Sequence, residues 1–188
     1  MNKKLLIAAV GAALVAGPML AAQADTTLYG HFHMSFDNLD NDNAQYGYVA
    51  SNSTRIGVKG NEDLGGGLKG IYQVESGALA ADTGVSGFGG QLRNTFMGFS
   101  GSSWGTVKVG RHDTPFKDLG RKLDNFNEEV GDMRNILSGS STGASLYDAR
   151  VSNMIRYESP NMGGLTASVL HTSNTNTSGT TDSAANAG

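Results

Sequence analysis

The sequence predicts an all-β protein, a transmembrane antiparallel β-barrel that is incomplete, with about seven strands present, and carries one long, partly helical loop. Three observations predict it. Residues 28–37 alternate, with Leu28, Gly30, Phe32, Met34 and Phe36 on one side and Tyr29, His31, His33 and Ser35 on the other. A strand sends successive side chains to opposite faces, so this stretch separates two environments. Further strand-like runs come in pairs, joined by short turns and separated by long polar connections, as in transmembrane barrels. A secretory leader precedes the first strand.

That leader is residues 1–24. Lys3 and Lys4 give a basic start, residues 5–15 are apolar, and Ala22-Gln23-Ala24 is a small-x-small cleavage site. Gly17-Pro18 interrupts the apolar run, which is too short to span a bilayer as a helix. The mature chain is expected to begin at Asp25. No other part of the 188 residues offers a helix-length apolar run. The absence of cysteine removes disulfides, thiolate chemistry and Cys-built zinc sites. A net charge of −3 without a basic stripe argues against nucleic acid. With 27 glycines and only 38% apolar residues, the composition does not suit a tightly packed α/β enzyme. Rigidity is expected from backbone ladders closed around a barrel.

After the first strand, residues 53–60 place Thr54, Ile56 and Val58 opposite Arg55 and Lys59. A glycine-rich turn at 61–67 leads to residues 68–75, whose apolar face is Leu68, Gly70, Tyr72 and Val74. Residues 93–101 and 105–112 form a pair around Ser102-Ser103-Trp104, though Met97 and Phe99 share the parity of Arg93. Residues 150–159 and 165–171 form another pair around 160–164. The connections 38–52, 76–91 and 113–149 are long and polar. In the last, Thr114-Pro115 looks like a helix start, and Phe116, Leu119, Leu123 and Phe126 recur at helical spacing. That stripe is expected to pack on the barrel's inner wall. Arg111 shares the parity of Val107 and Val109, so it should face outward, near a rim or in a subunit contact.

Several short motifs carry no chemistry. Gly101-Ser102-Ser103-Trp104-Gly105 matches a nucleophile elbow, but a strand follows where that motif needs a helix. Residues 37–43 lack the hinge glycine of a calcium loop, and the glycines at 84–90 precede no Lys-Ser/Thr. His31 and His33 share a face, but no third ligand is evident nearby. They read as a pair of lumen histidines, so no metal, cofactor or catalytic residue is expected.

STRIGVKGNEDLGGGLKGIYQVE, TFMGFSGSSWGTVKVGRHDTPF and ARVSNMIRYESPNMGGL, with Thr27-Leu28-Tyr29-Gly30 before them, resemble the Gram-negative general porins in order and spacing. The resemblance covers residues 25–171. It implies a sixteen-stranded homotrimeric barrel in the outer membrane, in contact with its lipid, that passively admits small hydrophilic solutes and ions and is not an enzyme. It further implies that the 113–149 loop folds inward and constricts the pore. His31, Arg55, Arg93 and Arg150 match the positions of a basic wall, His31 standing where some relatives carry lysine. Some of Asp118, Asp124, Glu128 and Glu129 are expected opposite. The loop's usual Pro-Glu-Phe-Gly is replaced by Thr114-Pro115-Phe116-Lys117. Family members close with a strand ending in an aromatic residue, whereas residues 172–188 are an external loop or a truncated end. The chain therefore reads as the N-terminal part of a porin about twice as long. The alternative is a small eight-stranded structural or adhesin-like outer-membrane barrel without a conducting pore.

Overall fold

The computed structural model describes residues 25–41, 44–77, 92–129, 131–134 and 148–173. The leader and most of the 172–188 segment lie outside them. The chain runs through β1 (Asp25–His31), β2 (Met34–Asn41), β3 (Ala44–Ser51), β4 (Arg55–Gly65), β5 (Leu68–Ser76), β6 (Thr95–Gly101) and β7 (Gly105–Asp113). The helix α1 (Pro115–Leu123) follows, then β8 (Arg150–Glu158) and β9 (Ser168–Thr172). Seven strands form one antiparallel sheet in the order β1-β4-β5-β6-β7-β8-β9, while β2 and β3 pair by themselves. Among the described residues the sheet does not close, and β1 and β9 are its edges.

Register turns the alternation of each strand into rows across the sheet. Leu28, Val58 and Val74 form one row, and Tyr72, Met97, Val109 and Ile155 a second. Phe99, Val107, Tyr157 and Val169 form a third. This face is apolar and exposed, with Leu28 at 70%, Met97 at 64% and Ile155 at 57%. The opposite face carries Tyr29 and Glu75, Lys108 and Arg156, and Ser100, Thr106 and Glu158. Gly57 lies between Tyr29 and Glu75 in register, and a Cβ there would meet the Tyr29 ring. The bare glycine lets Tyr29 lie flat and donate to Glu75 at 2.8 Å.

Among the described residues the buried apolar side chains are Val151 and Met154, whereas Glu75, His112, Asp113, Asp132, Asp148 and Arg156 are buried and polar. A water-soluble sheet protein shows the reverse. A hydrocarbon-facing exterior around a polar interior accounts for both halves of the pattern. No described helix is long and apolar enough to cross a membrane; the crossing elements are strands of 5–11 residues.

The structure refines five local expectations. The single strand expected over 28–37 is broken at Phe32 and His33, because Ser53 turns the opposing chain with a positive φ of 57° and ends the ladder at the His31–Arg55 pair. Thr54 substitutes for a ladder partner, its hydroxyl accepting from the His33 N–H at 3.1 Å and donating to the His33 carbonyl at 3.0 Å. The connection expected at 38–52 is instead the β2–β3 hairpin, with Phe36 opposite Val49. Arg93 precedes β6, so its parity does not conflict with that of Met97 and Phe99. Arg111 lies within a register shift between Gly110 and His112 and donates to the Leu92 carbonyl and the Ser152 hydroxyl, opposite Thr95 at the start of β6. The last strand starts later than expected, at Ser168, and takes in Thr172.

Candidate functional site

Where β7 ends, the chain turns over the polar face of the sheet. Thr114 caps α1, its hydroxyl accepting from the Lys117 N–H at 3.3 Å, and Pro115 opens the helix with a preset φ. The Thr114 N–H donates to the Ala149 carbonyl at 2.9 Å, tying the two ends of the long connection together. Asp113 sits at this root, 1% exposed, with Arg150 at 3.1 Å, Arg121 at 3.3 Å and Lys117 at 3.5 Å. Burial lowers the pKa of the Lys117 ammonium, against the opposing pull of Asp113.

The helix does not use its apolar stripe against the wall. Phe116, Leu119, Leu123 and Phe126 are all at least half exposed. The side chains that reach the wall are polar: Asp118 contacts Arg156 at 2.5 Å and lies 4.0 Å from the His112 ring nitrogen. The expectation that the stripe packs on the inner wall is thus overturned. A wall built from guanidinium and imidazole groups gains more from carboxylates than from hydrocarbon.

Beyond α1 the chain brings Glu128 against β4 and the start of β6. Arg55 donates from Nη1 to both carboxylate oxygens, at 2.8 and 2.9 Å, and Arg93 Nη2 lies 3.7 Å away. Arg121 of the helix donates to the same carboxylate. Arg93 also donates to Glu75 at 2.7 Å, and Glu129 sits 2.9 Å from His33 Nε2. The Glu128 side chain keeps 5% of its surface exposed. Burial is the largest influence on its carboxyl and pushes the pKa up. The Arg55 hydrogen bond and the charges of Arg55, Arg121 and Arg93 outweigh it, so the net direction is down. Asp132 accepts from the Glu128 N–H and pairs with Arg134, which holds its carboxyl far below the usual range.

Of the basic residues singled out from the sequence, Arg55, Arg93 and Arg150 all meet acids of the inserted segment or its root, and His31 is opposite Arg55 in register. Of the acids, Asp118, Glu128 and Glu129 reach the wall. Asp124 does not: it accepts from the Phe126 and Met133 amides at 2.9 Å each and shapes the loop. Asp113, Arg121 and Glu75 were not singled out. Strand parity places Glu75 on the polar face with Gln73, a signal that was available. Nothing in the local pattern pairs Asp113 with three cations. Residues 135–147 of the expected constriction loop lie outside the described residues.

An apolar outer face, a charged inner face and an inserted loop form one arrangement, and the sequence matches the family of Gram-negative porins over residues 7–188. The chain belongs to this family. The porin is 36% identical over 185 residues to the major outer membrane protein P.IB of Neisseria meningitidis serogroup A, covering 93% of this chain and 51% of that protein. It is 33% identical over 184 residues to an outer membrane porin protein of Bordetella pertussis, covering 86% and 46%. Among solved structures, an anion-selective porin from Comamonas acidovorans superposes with a TM-score of 0.66 at 25% identity, covering 80% of this chain and 47% of that one. The chain spans about half the length of the curated relatives it matches. These relatives place the porin in the bacterial outer membrane and point to a channel rather than an enzyme.

Proposed function

We propose that the protein forms a water-filled channel for passive diffusion of small hydrophilic solutes and ions, working as a homotrimer embedded in outer-membrane lipid. The 113–149 segment narrows the lumen, with His31, Arg55, Arg93 and Arg150 as the basic wall. The observation that carries this reading is Glu128, which leaves the loop to meet Arg55 and Arg93 on the polar face of the sheet. Charges of opposite sign on loop and wall set a transverse field across the aqueous gap. A polar solute aligns in that field, while an apolar one loses hydration without replacing it. No bond is made or broken.

The test is planar-bilayer electrophysiology of the whole porin under a salt gradient. Neutralising Arg55, Arg93 and Arg150 together is expected to shift the reversal potential toward cation preference. Unchanged ion selectivity would refute the assignment of the wall, and an absence of conductance in the unmodified protein would refute the channel.

A further inference from the structure

The loop supplies what the sequence alone lacked around the two histidines of the first strand and its break. His31, His33 and Glu128 each present a ligand atom, and these atoms lie within 4.8 Å of one another. The His31 and His33 rings meet edge to face with centroids 5.2 Å apart. We infer that His31, His33 and Glu128 form a binding site for a divalent transition-metal ion, at the seam between the inserted loop and the wall.

The state of His33 carries the argument furthest. Its Nε2 faces the Glu129 carboxylate at 2.9 Å, which fixes a proton on that nitrogen. In the neutral ring the lone pair is then on Nδ1, and among the described residues Nδ1 is buried with no hydrogen-bond partner. A buried acceptor without a partner is costly. A carboxylate on one ring nitrogen with the other left open is how proteins prepare a histidine to ligate metal. Two imidazoles and a carboxylate suit zinc, copper or nickel better than calcium or magnesium. Donors held about 2.0–2.1 Å from a tetrahedral zinc lie about 3.3 Å apart, so binding need shorten the separations between ligand atoms by no more than about 1.5 Å. His31 is exposed at the end of β1 and has room to turn.

The neighbouring cations do not forbid a dication. Arg55, Arg93 and Arg121 are matched there by Glu75, Glu128 and Glu129, three positive groups against three negative. A carboxylate has about four lone-pair sites, so Glu128 can keep an arginine while it ligates. A bound ion adds a tie between β1 and the loop, beside the Arg55–Glu128 pair.

The site goes beyond the channel reading, and binding is measured without conduction. The whole porin, purified in detergent micelles, is titrated with Zn2+ by calorimetry. One saturable site per chain is expected. His31→Gln and His33→Gln should each weaken binding at least about tenfold, since even outer-shell partners of a metal are worth roughly 10–100-fold. Circular dichroism confirms that each variant keeps its sheet. Zinc-edge X-ray absorption on the unmodified porin needs no variant, and should show two imidazole nitrogens at about 2.0–2.1 Å. The inference is overturned by the lack of saturable binding, by a double variant that binds as tightly as the original, or by a spectrum without imidazole. Bilayer recordings separate the two proposals. A porin that conducts but binds no zinc sinks the metal site alone, and one that binds zinc without conducting sinks the channel alone.

Discussion

Glu128 joins the loop to the wall through one carboxylate shared by Arg55, Arg93 and Arg121. Its backbone is left-handed, with φ at 68°, a conformation uncommon outside glycine and held here by its surroundings. Hydrogen bonds to charged groups contribute about 1.5–3 kcal/mol each. Glu128→Gln is therefore expected to free the loop and raise single-channel conductance, with the reversal potential moving toward anion preference. The pH dependence has a definite sign. A carboxyl whose pKa is lower in the folded state contributes fully above the ordinary glutamate value of about 4.3. That contribution is lost only as pH falls through the lower folded value. Conductance should hold steady from neutral pH down to about 4.3 and rise below it. The rise should be missing in Glu128→Gln.

At the scale of elements, turns and caps decide where the loop leaves the sheet. Thr114→Ala removes the acceptor for the Lys117 N–H and should cost about 0.5–2 kcal/mol of local helix stability. Hydrogen exchange at the first-turn amides of α1 should quicken while amides of β7 and β8 stay protected. The β6–β7 turn is less forgiving. Gly105 has φ at 97°, and a Cβ there would collide with the Glu158 carbonyl of the neighbouring strand. Gly66 has φ at 61° with open space around it. Gly66→Ala should cost about 1–2 kcal/mol for a left-handed L-residue, whereas Gly105→Ala must also move β8 away. Yields of heat-resistant folded porin should fall sharply for Gly105→Ala and little for Gly66→Ala.

The whole molecule is organised by two solvents. Val109 and Ile155 lie in the apolar band, and Lys108 and Arg156 are their immediate neighbours on the other face. Ile155→Arg is expected to destabilise the inserted barrel by about 2–4 kcal/mol near the membrane midplane. Urea titration of the porin refolded into lipid vesicles measures this, with an arginine at Thr106 on the polar face as the contrast. The sheet also ends in two edges, β1 and β9, each with a row of backbone groups on offer. Such edges pair with other chains. Residues 25–188 produced alone should sediment as aggregates and show no channel activity in bilayers.

Alternation by itself determined the seven strands of the main sheet and the β4–β5, β6–β7 and β8–β9 hairpins, because a period of two is a local property of extended backbone. The β2–β3 hairpin escaped it, its residues reading as a polar connection. Parity was enough to set Arg55 and Arg156 on the polar side. It failed at residues 28–37, where the chain keeps its alternation while its partner strand turns away at Ser53. It failed again for α1, whose stripe was read correctly as helical but assigned the wrong neighbour. Which acid meets which base depends on contacts far apart in sequence, such as Glu128 with Arg55 at 73 positions and Asp113 with Arg150 at 37. Only the tertiary structure decided those, and with them the third ligand beside His31 and His33. Side-chain spacing along one strand carries no information about a loop that returns from elsewhere in the chain.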